Sequence, residues 1–295
     1  MTVVTLDESP LVSALLELGA SLPRDLILCI GGGLGLYIKQ IYLRENPRIK
    51  TLFRLDQLPA ARTTEDIDLF LQADVVTSSD RMRPIRAALD ELGYQVVDSA
   101  RYMQFYKDWG PGEVKIDLLV GPLGQLADRV PNDPRRVKPR PSVGLHASKV
   151  EEAIAIEQHQ IEITLSGRLP SGERREANVR IPQAFTYLLM KLNAFADQLD
   201  NPNKKLGRHH AIDLYRIVGM LMESEDRAVR ELVRQYAEHD EVAKARSIVR
   251  EHFMPDDGKG RLRSREHELA RDDLDLDRFV HEMEALLQPS RELGG

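Results

Sequence analysis

The segment Arg62-Thr63-Thr64-Glu65-Asp66-Ile67-Asp68-Leu69-Phe70 alternates acidic with apolar side chains around two aspartates. On a β-strand that alternation sends Asp66 and Asp68 to one face and Ile67 and Leu69 to the other. A rise of roughly 3.3 Å per residue sets the two carboxylates about 7 Å apart. Hard oxygen donors so placed can share one or two magnesium ions, and metals about 3.5 to 4 Å apart clamp the attacking and leaving oxygens of a phosphoryl transfer. A wet strand edge shows the same pattern, so the pair needs context.

Context comes from Val114-Lys115-Ile116-Asp117-Leu118-Leu119-Val120, a second strand in which Asp117 opposes an apolar face. A carboxylate centred in so apolar a run is costly unless it has a partner or its face is wet. Upstream, Gly31-Gly32-Gly33 lies between an apolar run and a helical pattern, where glycines let a backbone approach a phosphate and helix N–H groups point at it. A plain tight turn reads the same way. Downstream, Lys191 flanks the stripe Met190-Lys191-Leu192-Asn193-Ala194-Phe195; it either snorkels beside a buried face or holds a polyphosphate. Asp213, in His209-His210-Ala211-Ile212-Asp213-Leu214-Tyr215, suits a site or a salt bridge with a nearby basic residue. The adjacent histidines point to different helix faces and the chain has one cysteine, which argues against structural zinc.

Positioning these residues requires particular elements. Ser9 to Leu22 reads as a helix, with Pro10 in its first turn. Leu26 to Ile30, the glycines, and the pattern through Leu36, Tyr37, Ile38 and Ile41 spell strand, tight turn, helix. Residues 44–61 look like an irregular excursion between core elements. Asp66 to Leu71 is a strand, and a helix with Met82, Ile85, Leu89 and Leu92 follows and closes at Gly93. Strands are expected at Tyr102 to Tyr106 and Val114 to Val120, and a hairpin pairs Ile161–Leu165 with Ala177–Ile181 around Pro170-Ser171-Gly172. From Pro182 the period becomes 3.6, through Phe185, Leu188, Leu189, Leu192 and Ala196, then Leu214, Ile217, Val218 and Leu221. The charged remainder from Glu223 is helical, with a loop at Met254 to Gly260. The expectation is an α+β chain: a mixed-sheet core over residues 1–182, then an all-helical domain over residues 183–295.

Composition narrows the class. The 295 residues are 42% hydrophobic and 30% charged, the balance of a globular protein with a core. A net charge of -6 argues against coating nucleic acid by bulk attraction. Two local basic patches remain: Arg135, Arg136, Lys138 and Arg140, and Lys204, Lys205, Arg208, His209 and His210, each also readable as a solvated loop. Cys29 sits in an apolar run as an inert thiol, no membrane span or signal segment is apparent, and a cytoplasmic protein with no membrane partner is expected.

In this order the motifs resemble those of the AbiEii/MenT-type nucleotidyltransferases of the DNA polymerase β-like superfamily, over roughly Leu26 to Ile217. Matching positions are Gly31 and Gly32 (or Gly32 and Gly33), then Arg62, Thr64, Asp66 and Asp68, then Asp117, then Lys191-Leu192-Asn193-Ala194, and Asp213-Leu214. The resemblance implies transfer of a nucleoside monophosphate from an NTP. Asp66 and Asp68 would ligate Mg2+, and Gly31, Gly32, Gly33, Arg62 and Thr64 would contact nucleotide. Lys191 would grip the triphosphate, Asp213 would complete the site, and Asp117 would act as a metal ligand or as general base for the acceptor. Here Gly33 or Leu34 stands where the family carries Ser or Thr, the stretch from the glycines to Arg62 is longer, and His210 replaces an acidic residue. Family members act as toxins of toxin-antitoxin pairs, so tRNA or another RNA is the expected acceptor and a cognate antitoxin an expected partner. A protein or small molecule such as an aminoglycoside as acceptor, and a non-catalytic nucleotide-binding or partner-binding module, are the alternative readings.

Overall fold

A computed structural model describes residues 3–5, 9–62, 64, 66–110, 112–169 and 171–288. Thr63 and Glu65 of the acidic motif, and Pro170 of the expected hairpin turn, lie outside them. The chain divides into two compact units, Met1–Tyr42 with Thr63–Glu151 and Gln160–Pro182, and Leu43–Arg62 with Glu152–His159 and Gln183–Gly295.

The first unit is α/β, built on a mixed sheet of ten strands among the described residues. In chain order its elements are β1 (Val3–Thr5), α1 (Pro10–Ser21), β2 (Leu28–Ile30), α2 (Gly32–Glu45), β3 (Asp66–Phe70), α3 (Ala73–Val76), α4 (Ser79–Glu91), β4 (Gln95–Val96), β5 (Gln104–Trp109), β6 (Gly112–Val120), β7 (Arg136–Val137), β8 (Ala147–Lys149), β9 (Ile161–Arg168) and β10 (Arg174–Ile181). The last turn of α2 falls in the second unit. The strands run β1-β9-β10-β2-β3-β6-β5-β4, with β8 also paired to β6 and β7 to β8.

Register gives the sheet two unlike faces. Ile67, Leu69, Ile116, Leu118, Phe105, Val179 and Ile163 occupy linked positions and are buried. Helix α1 covers that face; Ser9 caps it by accepting from Val12 N, and its Leu15, Leu16 and Leu18 are buried. Gly19 allows the close approach, because a methyl added there would lie 2.7 Å from the Ala177 Cβ on β10. The opposite face carries polar side chains on both sides of an apolar patch: Asp66 and Asp68 on β3, Lys115 and Asp117 on β6, Gln104 and Tyr106 on β5, Asn178 and Arg180 on β10, Glu162 and Thr164 on β9, with Cys29, Phe70 and Leu119 between them. A strand with one wet face alternates for this reason.

The second unit is helical, with α5 (Ala184–Gln198), α6 (Arg208–Gly219), α7 (Glu223–Gln235), α8 (Asp240–His252), α9 (Lys259–Arg265) and α10 (Leu276–Ala285). α5 packs on α6 and α8, and α6 also on α9 and α10. Phe195, Phe253, Phe279, Tyr215 and Phe53 form a chain of ring contacts with centroids 5.0 to 6.0 Å apart. Glu225 on α7 ties in the start of α5, accepting from Ala184 N at 2.7 Å.

One expectation is extended and one corrected. Residues 44–61 are the irregular excursion between α2 and β3, and they belong to the helical unit: Leu52 and Phe53 N–H groups donate to Leu221 and Gly219 carbonyls, and Phe53 and Leu58 are buried there. Tyr102 does not begin a strand. Its φ is +70°, after Arg101 at +49°, and β5 starts at Gln104. No described helix is long and apolar enough to cross a membrane.

Candidate active site

Asp66 and Asp68 extend from β3 on the polar face, and the parallel pairing of β3 with β6 sets Asp68 directly beside Asp117 and Asp66 beside Lys115. All three aspartates are half-buried. Burial raises the Asp117 carboxyl above its usual range, and the charge of Asp66 adds to that against the hydrogen bond from Gln104. Gln104, directly across from Asp117 on β5, donates its Nε2 to Oδ1 at 2.6 Å. Thr64 donates its hydroxyl to the Asp66 carbonyl at 3.5 Å.

The glycine turn abuts this row. Gly31 N donates to the Asp68 carbonyl at 2.8 Å, and a Cβ on Gly31 would enter the Phe70 ring. Gly32 has φ +56°, and a Cβ there would collide with the Asp68 carboxylate. Gly33 lies within the first turn of α2. The helix start on which a phosphate is expected therefore faces a carboxylate, a group that a helix N-terminus also favours.

The other expected residues assemble in the helical unit. Asp213 on α6 is fully buried, with Lys191 Nζ at 2.7 Å and Arg62 Nε at 3.4 Å from Oδ2, and Arg216 NH1 at 3.1 Å from Oδ1. Burial by itself would raise the Asp213 carboxyl; Lys191, Arg216 and Arg62 together outweigh it and hold the carboxyl well below the carboxylate range. Lys191 and Arg216 are buried as well. The salt bridge that the sequence allows for Asp213 is thus present, with Lys191 as a principal partner.

Beside it, His209 Nδ1 lies 2.9 Å from His267 Nε2. His267 Nδ1 accepts from Leu269 N, so in a neutral ring its proton is on Nε2 and is donated to His209. Burial and then the Arg62 charge lower His209 to about 4, and burial and then Lys191 lower His210 to about 3. His267 Nε2 is committed to that proton, which leaves it without a lone pair for zinc.

Sequence reasoning missed Gln104, Arg216 and His267. Gln104 was within reach: with Trp109 paired to Gly112 across the turn, counting back along β5 and forward along β6 aligns it with Asp117. Arg216 follows Asp213 by one helical turn. His267 carries no local signal. Among the described residues no three His, Cys, Asp or Glu side chains are grouped to hold a metal ion. Comparison of the chain with protein-family models, curated proteins and solved structures finds no match.

Proposed function

We propose that this chain is a magnesium-dependent nucleotidyltransferase resembling the AbiEii/MenT type, which moves a nucleoside monophosphate from an NTP to an acceptor hydroxyl, RNA being the favoured acceptor. The observation that carries this reading is the in-register row of Asp66, Asp68 and Asp117 on one polar face, closed by a glycine turn at the start of α2. Its donors fit magnesium by chemistry, being carboxylate oxygens without nitrogen or sulfur among them. Asp66 and Asp68 would hold the ion, which when bound neutralises charge on the phosphate oxygens.

The acceptor oxygen forms a bond to the α-phosphorus, the bond from that phosphorus to the bridging oxygen breaks, and pyrophosphate leaves. The acceptor proton goes to Asp117. Gln104 occupies Oδ1, which leaves Oδ2 to take it, and the raised affinity of this carboxyl for a proton suits a base. Within the helical unit the Lys191 ammonium has three donors, one of which goes to Asp213. Catalysis is then mostly positioning and charge neutralisation.

The test is transfer of label from each of four α-labelled NTPs by the full chain with magnesium, onto total RNA, a protein extract or an aminoglycoside. The double variant Asp66→Asn, Asp68→Asn should lose all labelling while keeping its circular dichroism spectrum. Equal labelling by variant and wild type, or none by wild type onto any acceptor, overturns the proposal, the latter in favour of a binding module.

A further inference from the structure

The sheet that carries the carboxylates continues into a basic edge. β8 pairs with β6 just past Asp117, Leu119 against Ser148, and β7 pairs with β8, Arg136 against Ser148. In-register neighbours share a face, so Arg136 is on the carboxylate side, about 7 Å along β6 and two strand spacings of about 4.8 Å across from Asp117. Arg135 and Arg140 are exposed and Lys138 half-exposed around it. Asp133 neutralises Arg136 through a bond at 3.0 Å, while among the described residues no carboxylate pairs with Arg135, Lys138 or Arg140. This is local positive charge on a chain of net charge -6.

An aromatic ring stands in it. Tyr102 is 44% exposed, and both it and the exposed Arg101 take left-handed backbone, at φ +70° and +49°. That conformation is unfavourable for a side chain as large as tyrosine and persists only where surroundings impose it. His146 imposes it: it is buried, its ring Nδ1 is 3.0 Å from the Arg101 carbonyl and its ring Nε2 3.1 Å from the Ser142 hydroxyl, while its backbone N–H donates to the Tyr102 carbonyl at 2.9 Å. Its ring stands edge-on to Tyr102 at 5.5 Å. The charges of Arg136 and Lys138 reach this imidazole, helping burial to lower it. Tyr102 lies two residues before Gln104, the partner of Asp117. The left-handed turn thus leaves the Tyr102 ring 44% exposed, edge-on to an imidazole that the charges of Arg136 and Lys138 reach. Stacking on an exposed ring with cations along the backbone is how single-stranded nucleic acid is bound without base-pair readout.

We infer that Arg101, Tyr102, Arg135, Lys138 and Arg140 form a docking surface for a single-stranded polynucleotide, which leads its end to the carboxylates. The second half of that statement rests on the nucleotidyltransferase reading; the docking surface does not.

The experiment is fluorescence anisotropy of a fluorescein-labelled single-stranded RNA oligonucleotide with the full chain, over a range of KCl and without NTP or metal. Tyr102→Asn removes the ring but suits left-handed backbone, so it should weaken binding on the order of tenfold while its Tm stays level or rises. The triple variant Arg135→Ala, Lys138→Ala, Arg140→Ala should lower the slope of log affinity against log salt by about 2, at roughly 0.7 for each phosphate contact on a single strand. Binding by Tyr102→Asn equal to wild type, an unchanged salt slope in the triple variant, or equal affinity for the same sequence as a duplex would overturn the docking surface. Wild type that binds in this way but transfers no nucleotide leaves it standing and removes the enzyme. Transfer to RNA that neither variant slows removes the surface and leaves the enzyme.

Discussion

Gly32 shows how one position serves both backbone and chemistry. With φ at +56° and no room for a Cβ beside the Asp68 carboxylate, Gly32→Ala should cost on the order of 1 to 3 kcal/mol in urea unfolding and displace Asp68. A loss below a few tenths would mean that the turn is not tight against Asp68. Asp213 is the corresponding point of the helical unit. Asp213→Asn keeps its shape but leaves Lys191 and Arg216 buried without their countercharge, which should cost about 3 to 5 kcal/mol in the same measurement. The histidines give a pH dependence of definite sign. Folded His209 and His210 bind protons less readily than in the unfolded chain, at about 4 and about 3 against an ordinary 6.5. In that interval the unfolded state holds more protons, so stability is full above pH 6.5 and declines as pH falls toward 4 and below. Thermal melts across this range should show the decline, and His209→Gln with His210→Gln should flatten it; an equal slope in the variant would assign the effect to other groups.

At the scale of elements, the apposition of α1 and β10 depends on two small residues. Gly19 and Ala177 meet so closely that Gly19→Val must push the helix off the sheet, at a cost of about 1 to 3 kcal/mol. Ala177→Gly in the same chain should recover part of that loss, and strict additivity in a double-mutant cycle would show that the two sites do not touch. Pairing of elements also explains the candidate site. Asp66 and Asp68 share a face because they are two apart on a strand, but Asp117 joins them only because β3 and β6 run parallel at one register. A slip by one residue would turn the carboxylate of Asp117 into the apolar face among Ile67, Leu69 and α1.

At the scale of the whole chain, a boundary near Pro182 does not separate independent pieces. Residues 43–62 and 152–159 belong with 183–295, where Thr186 bonds the Ile154 carbonyl and Leu52 and Phe53 bond the α6 end. A fragment ending at Pro182 exposes Phe53, Leu58 and Ile154, which are buried in the full chain. It should bind a hydrophobic dye and elute as aggregates in size-exclusion chromatography; a dye-silent monomer with a cooperative melt would show that those segments need no helical partner.

What the sequence decided by itself is what periodicity and local chemistry encode. The alternation of Asp66 to Phe70 and Val114 to Val120, the caps and glycine stops, and the stripes of α5 and α6 placed strands and helices close to their observed bounds, because neighbours in the chain settle which face is wet. Tertiary structure decided who meets whom. It gave Asp213 to Lys191, Arg216 and Arg62, brought His267 to His209, sent residues 44–61 to the helical unit, and turned Tyr102 outward against its own preference for a strand. Those outcomes rest on contacts between residues far apart in sequence and on strain that only a packed surrounding can hold, neither of which leaves a local trace in composition or spacing.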